Sequence, residues 1–264
     1  MSNIARAFTA ADGSRKKAFI PFITCGDPSL DLTEETVIAM VKAGADLIEL
    51  GIPFSDPTAE GPVIQEANMR ALSGNITTDD VFELVGRLRS RGIEVPLVFM
   101  TYANVIFSYG TDIFAKKAAQ AGIDGIILPD VPFEEKVEFD EPFAKEGIDL
   151  ISMIAPTSHA RIRAIAKEAK GFIYCVSSLG VTGVRSEITT DIGAMVDLVR
   201  SITDVPCAVG FGISTPEQAA NMASKSDGAI VGSAIVRLVA EHGTDAVPYV
   251  ADYVKSMADA VHEA

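Results

Sequence analysis

The sequence has no tryptophan, three histidines and three cysteines among 264 residues. Three cysteines cannot all pair, and Cys25, Cys175 and Cys207 lie far apart, in or beside apolar runs such as Ile173-Tyr174-Cys175-Val176. They read as reduced, buried thiols, which excludes a disulfide scaffold. Neither they nor His159, His242 and His262 have zinc-ligand spacing, so no metal site is expected. Positive charge is also scarce, with 22 Lys and Arg against 36 Asp and Glu and a formal net charge of −14. That balance argues against non-specific binding to nucleic acid or to anionic lipid. It also means that any anionic ligand must be held by local groups, against the overall field. Long apolar runs are missing too. The stretch from Ala18 to Cys25, behind Arg15-Lys16-Lys17, contains Pro21 and is too short to span a membrane. A cytoplasmic protein is expected.

What is present is a chain with 48% hydrophobic and 22% charged residues, enough to build a large core without staples. Short β-rich runs alternate with longer amphipathic ones. The strand candidates are Phe19–Thr24, Leu47–Leu50, Leu97–Thr101, Gly125–Leu128, Leu150–Ile154, Phe172–Val176, Cys207–Phe211 and Ala229–Val231. Helical periodicity covers 31–43, 62–73, 78–91, 111–121, 134–146, 158–169, 190–202 and 215–224, with two more stretches at 233–241 and 246–262. Helical crossovers return the chain to the same end of a sheet, so the strands are expected to be parallel. Gly44-Ala45-Asp46, Gly122-Ile123-Asp124, Gly147-Ile148-Asp149 and Ser226-Asp227-Gly228 each end a helix and start a strand almost at once. Such short returns, with eight strands in about 250 residues, favour a closed (β/α)8 barrel (the TIM barrel) with extra helices. The alternative is an open doubly wound sheet. No linker divides the chain, and residues 1–264 read as a single domain.

Two strand-to-helix loops are unusually long, Gly51 to Gly61 and Ser177 to Glu187, and both leave strand C-terminal ends, where barrels build active sites. In Leu47-Ile48-Glu49-Leu50, strand alternation puts Glu49 on the face opposite Ile48 and Leu50. If those two pack on helices, Glu49 points into the barrel, where loss of water raises its pKa towards proton-transfer use. The structural alternative is a carboxylate paired with a buried cation or ending the strand in solvent. Glu60, on the first long loop, is a second acid that would ordinarily be solvated, yet is close enough in sequence for an acid pair. Asp130 either lines the mouth or caps the helix that follows it. Gly210-Phe211-Gly212 and Gly232-Ser233 follow the last two strands, where barrels often hold phosphate on backbone amides and a helix N-terminus. Thr182-Gly183 on the second long loop is placed to close over it. Barrel turns need glycine in any case, so each turn alone is weak evidence. Phe22, Met100, Tyr102, Ile127, Ile154 and Tyr174 lie near the same mouth, as core or as the walls of a pocket for a flat ring.

Pro21-Phe22-Ile23-Thr24-Cys25-Gly26-Asp27-Pro28 and Glu49-Leu50-Gly51-Ile52-Pro53-Phe54-Ser55-Asp56-Pro57 resemble signatures of the tryptophan synthase alpha subunit family. So do Gly180-Val181-Thr182-Gly183, Gly210-Phe211-Gly212-Ile213-Ser214 and Gly232-Ser233-Ala234-Ile235-Val236, in the family's order and across nearly the whole chain. The resemblance implies a lyase that splits indole-3-glycerol phosphate into indole and glyceraldehyde 3-phosphate in tryptophan biosynthesis. It assigns Glu49 as the acid/base and Glu60 to the role of a second acid that accepts the indole N–H. The family has aspartate there, so Glu60 is a departure that keeps the charge and changes its reach. It further implies phosphate binding by Gly183, Gly212, Gly232 and Ser233, and a substrate pocket of Phe22, Met100, Tyr174 and Thr182. Arg185, in a stretch that follows the family less closely, has no assigned role. No cofactor is implied on this chain. Pyridoxal phosphate is expected on a partner beta subunit in an α2β2 complex, met through Pro53, Asp56 and Asn104. Three other readings stay open: a regulatory alpha subunit without catalysis, a free-standing indole-releasing lyase, and another sugar-phosphate barrel enzyme.

Overall fold

A computed structural model describes residues 3–176, 191–210 and 212–264. Among them are nine strands: β1 (Ala18–Thr24), β2 (Ile48–Gly51), β3 (Leu97–Met100), β4 (Gly125–Ile127), β5 (Asp149–Leu150), β6 (Ser152–Ile154), β7 (Ile173–Val176), β8 (Cys207–Gly210) and β9 (Gly228–Val231). All neighbours are parallel, in the order β5-β4-β3-β2-β1-β9-β8-β7-β6. The two ends of that order, β5 and β6, are separated in the chain only by Ile151. The sheet therefore curls round on itself as a barrel, and the open doubly wound alternative is excluded. The single fifth strand expected from the sequence is split because it changes partner midway. Asp149 and Leu150 pair with β4, whereas Ser152 to Ile154 pair with β7.

The strands are joined by α1 (Leu30–Lys42), α2 (Pro62–Ser73), α3 (Thr78–Ser90), α4 (Ala103–Tyr109), α5 (Thr111–Ala121), α6 (Val137–Lys145), α7 (His159–Lys167), α8 (Ile192–Arg200) and α9 (Pro216–Lys225), and α10 (Ser233–His242) and α11 (Ala246–His262) follow β9. Their starts follow side-chain capping: Thr77 with Asp80 and Thr215 with Gln218 form reciprocal capping boxes, and Ser29 caps α1. Helix α4 was not expected. Its seven residues are too few to show a period, and Gly110, at φ +93°, separates it from α5.

Strand alternation sorts the apolar residues into two layers. Ile48, Leu50, Phe99, Ile126 and Val209 belong to the layer beneath the helices, whereas Ile20, Phe22, Leu47, Val98, Met100, Ile127 and Tyr174 fill the barrel. Ile154, a candidate for the mouth, belongs instead to the helix-facing layer. Its place at the end of the split strand gives it the outward parity. The N-terminal face is plugged by a 3-10 helix, Asn3–Phe8, whose Ile4, Ala7 and Phe8 join the inner cluster.

The glycine-acid returns form a repeated clamp at that N-terminal face. Gly44, Gly122 and Gly147 take φ of +108°, +99° and +78°, left-handed helix stops that disfavour a side chain. Asp46, Asp124 and Asp227 then each bond the first residues of a neighbouring strand twice. The N–H of Asp124 donates to the Leu97 carbonyl at 2.9 Å, while its carboxylate accepts the Leu97 N–H at 2.8 Å. Asp46 does the same with Phe19, and Asp227 with Cys207. Each carboxylate also holds a cation: Lys16 at Asp46, Arg89 at Asp124 and Arg200 at Asp227. Asp149 departs from this pattern, since its own strand begins with it.

Asp124 also accepts from Asn3 at 2.9 Å, so it ties the plug, α3 and β3 together. Asp124→Ala is expected to cost about 3 kcal/mol, because it strands Arg89 and the Leu97 N–H in partly buried surroundings. Urea unfolding monitored by far-UV circular dichroism checks this, and an unchanged midpoint would count against the clamp.

Candidate active site

Glu49 sits on β2 opposite Phe22 of β1 and Val98 of β3. It is 1% exposed, and its Oε1 is buried with no hydrogen-bond partner among the described residues. No cation approaches it there, so burial acts unopposed and pushes its carboxyl up to about 8. Among the described residues, Glu49 is thus neither paired with a cation nor in solvent. Its neighbours are held in place by glycines. A Cβ on Gly51 would lie 2.6 Å from the Phe22 ring, and one on Gly232 would lie 3.3 Å from the same ring. Phe22 thus packs between the end of the Glu49 strand and the turn before α10. A Cβ on Gly210 would strike the Tyr174 ring at 2.6 Å, so Tyr174 lies across the end of β8. Burial and the Glu49 charge together hold the Tyr174 phenol well above its ordinary range. Met100 is the register partner of Gly51 and completes this wall.

Glu60 is 5% exposed despite its place on a loop. The loop folds onto the barrel mouth: Phe54 packs on Tyr102 with ring centroids 5.2 Å apart, and the Ala59 N–H donates to the Tyr102 hydroxyl at 3.3 Å. The Glu60 carboxylate accepts from Asn68 Nδ2 at 2.7 Å and is also hydrogen-bonded by the Tyr102 hydroxyl. Burial raises its carboxyl to about 7, against the pull of those two donors. The two acids therefore differ in kind, Glu49 without a donor on Oε1 and Glu60 with two.

The glycine turns lie beside this pair. Gly212 takes φ +81°, open to glycine and costly for other residues. Gly232 caps α10 without a side-chain bond, and the N–H groups of Ile235 and Val236 both donate to its carbonyl. The amides of Ser233 and Ala234 are then left at the tip of a ten-residue helix, a geometry suited to an anion. Phe211, Thr182, Gly183 and Arg185 lie outside the described residues.

Asp130 does not cap the helix that follows it in sequence. Both of its carboxylate oxygens accept the Ala103 N–H, at 3.1 Å each, so it caps α4 across the mouth. Asp56 and Asn104 are exposed, whereas Pro53 is buried under its own loop. Two contributors were not fully foreseen from the sequence. Tyr102 was placed at the mouth, but its bond to Glu60 was not foreseen. Asn68 was missed altogether, although a signal existed: Ile64, Ala67 and Ala71 mark the buried stripe of α2, and Asn68 falls on that stripe. A lone amide on an apolar helix face needs a partner. Among the described residues no three His, Cys, Asp or Glu are grouped to hold a metal ion, and no helix is long and apolar enough to cross a membrane.

A parallel α/β barrel with two buried, dissimilar carboxylates at the C-terminal mouth defines an enzyme of the (β/α)8 class equipped for acid–base chemistry. The family model for the tryptophan synthase alpha chain matches residues 8–262. A tryptophan synthase alpha chain from Lacticaseibacillus casei is 47% identical over 99% of this chain and 96% of its own length. One from Lactiplantibacillus plantarum is 49% identical over 91% of each. A crystal structure of tryptophan synthase subunit alpha from Legionella pneumophila superposes with a TM-score of 0.90 at 39% identity, covering 100% of both chains. The corresponding chain of the tryptophan synthase complex from Pyrococcus furiosus gives 0.84 at 34% identity, covering 92% of this chain and 98% of its own. The chain belongs to the tryptophan synthase alpha chain family.

Burial of Glu49 sets a stability test. Its folded carboxyl lies above the unfolded value, so the folded state binds the extra proton and its stability falls as pH rises from about 4.5 to about 8. Glu49→Gln removes that titration. The variant is expected to be more stable than the parent by a few kcal/mol above pH 8, with the gap closing below pH 5. Urea midpoints at the two ends of this range check it, and equal gaps at both would show that Glu49 is solvated.

Proposed function

We propose that this chain is the lyase subunit of tryptophan synthase and cleaves indole-3-glycerol phosphate to indole and glyceraldehyde 3-phosphate. The observation that carries the reading is the pair of buried carboxyls at one mouth, one without a donor on Oε1 and protonated at neutral pH, the other held by donors. Glu49, as the acid, delivers its proton to indole C3. The ring nitrogen supplies the electron pair and becomes cationic, and the Glu60 carboxylate accepts its N–H. Glu49, now a carboxylate, takes the proton of the hydroxyl on the carbon next to the breaking bond. The O–H electron pair becomes the second C–O bond of the aldehyde, the C–C pair returns to the ring and restores the nitrogen lone pair, and aromatic indole leaves with Glu49 again protonated. Glu49 gives one proton and takes one, and the cleavage is neither an oxidation nor a reduction, so the reaction as proposed needs no cofactor on this chain.

Gly212, Gly232 and Ser233 hold the phosphate on backbone amides, with Gly183 contributing from the second long loop, and Thr182 of the same loop belongs to the substrate pocket. Phe22, Met100 and Tyr174 wall the indole ring. The partner is the pyridoxal-phosphate-carrying beta subunit, in an α2β2 assembly in the cytoplasm. Asp56 and Asn104 meet it directly, and Pro53 shapes the loop beneath. Beside Asn104, Phe107 is 52% exposed and its ring lies 4.9 Å from Phe139 of α6, where Val137 is 55% exposed. That apolar surface supports docking of a protein partner. A purely regulatory subunit would give no use to a buried acid whose cost is borne by the fold, which favours catalysis.

Indole release by the purified chain, with and without a cognate beta subunit, tests the proposal. Release is expected to be slow alone and to rise sharply with the partner. Glu49→Gln is expected to lower kcat by about a thousandfold, the usual size of a lost general acid, without loss of beta-subunit binding. Partner activation without any release would sustain the regulatory reading instead.

The two carboxyls also set the pH profile. The reactive form has Glu60 ionised and Glu49 protonated, so kcat/KM is expected to rise through about 7 and fall through about 8. A narrow bell in steady-state kinetics fits this assignment, whereas a flat profile across that range would exclude it.

A further inference from the structure

We propose that Asn68 is the positioning residue that lets a glutamate serve at position 60, by fixing the longer side chain from helix α2. The inference rests on the reading of Glu60 as acceptor of the indole N–H and goes beyond it by assigning what orients that acceptor. A glutamate carries one more rotatable bond than an aspartate, so an unrestrained carboxylate at this position would sample several places in the mouth. Helix α2 removes that freedom at two points. Gln65 Nε2 donates to the Glu60 carbonyl at 2.7 Å and holds the backbone, and Asn68 Nδ2 donates to Oε2 at 2.7 Å and holds the carboxylate. The Tyr102 hydroxyl accepts from Ala59 and is therefore oriented to donate to the same carboxylate.

The helix is itself anchored. Arg70, two residues beyond Asn68, makes a bidentate pair with the buried Asp27 at 2.8 Å on both arms, which fastens α2 to the turn after β1. Asn68 is 3% exposed and has no route to swing into solvent. An amide nitrogen can only donate, so it supports the ionised acceptor and leaves the remaining lone pairs for a substrate N–H. The ionisable group facing Glu60 is Tyr102, with Asp130 beyond it, and among the described residues no Lys, Arg or His lies within salt-bridge distance. The hydrogen bonds from Asn68 and Tyr102 thus stand in for a positive partner.

The test uses the intact chain with its beta subunit and compares the parent with Asn68→Leu and Asn68→Ser. NMR of carbon-13-labelled glutamate carboxyls reads the Glu60 titration directly, without turnover. Loss of the donor is expected to move that titration upwards by about one pH unit from about 7 and so to lower kcat/KM about fivefold at pH 7. Only the rising limb of the profile should move, with the falling limb of Glu49 unchanged. A second readout separates positioning from general damage. In a Glu60→Asp background the shorter carboxylate no longer reaches Nδ2, so Asn68→Leu should change kcat/KM little. An unmoved Glu60 titration in either folded variant, or the same loss in the Glu60→Asp background, would overturn the proposal. If the titration moves but the parent releases no indole, the positioning role stands and the lyase reading falls. Asn68→Ser keeps the test open should the leucine variant fail to fold.

Discussion

Desolvation of the Glu49 carboxyl is the constraint around which this barrel is arranged. An acid with a buried oxygen that accepts no hydrogen bond, in an apolar interior, is costly to ionise, and that cost is what keeps it protonated near neutral pH. The strand must then be held by the rest of the fold. Phe22 and Val98 lock it from either side in register, Ile48 and Leu50 bury its outer face, and the plug at the opposite end closes the interior to water. Gly51 and Gly232 are required because Phe22 occupies the space where their side chains would be. The acid, the ring wall and the turn before α10 are thus parts of one packing solution.

The two ends of the barrel treat the same functional group in opposite ways. At the N-terminal face, Asp46, Asp124 and Asp227 each accept a strand N–H and hold a cation, so their charge is matched and works for stability. At the C-terminal face, Glu49 and Glu60 have no cation among the described residues, and burial lifts both towards neutral pH. Glu60 is the intermediate case, with hydrogen bonds but no charge partner. The difference between about 8 and about 7 follows from those donors and from Glu60's less complete burial, since the two carboxyls share the same chemistry. The division of labour between acid and acceptor is therefore a property of the surroundings and could be exchanged by moving donors.

Much of this was legible in the sequence, for reasons that can be named. Glu49 was readable because strand parity is strict: with Ile48 and Leu50 outward, residue 49 must point inward. The returns at Asp46 and Asp124 were readable because a left-handed glycine stop leaves a local trace, and the one at Asp227 because a helical period gives way at once to an apolar strand. The burial of Glu60 was not, since it depends on a loop folding onto Tyr102, a contact 42 residues away that no local pattern encodes. Asn68 was half-legible, a polar residue in an apolar stripe whose partner only the tertiary fold supplies. The split fifth strand escaped because changing partners leaves the period of two intact. For Asp130 two readings stood side by side, and the sequence could not choose between them because its partner, the Ala103 N–H, lies across the mouth rather than nearby in the chain.

The acid pair also bears on how an acidic protein admits an anionic substrate. A net charge of −14 repels a phosphate ester at long range, and two ionised carboxylates at the mouth would add to that repulsion where it matters most. Raised carboxyls remove this conflict, since Glu49 is largely neutral and Glu60 only partly charged near pH 7. On the proposed reading, what then meets the phosphate is the amide end of α10, whose dipole favours negative charge. The same burial that prepares Glu49 to give its proton thus lowers the negative potential at the entrance. On the proposed reading, catalysis and admission of the substrate depend on one physical cause, and a carboxylate in water at either position would serve neither.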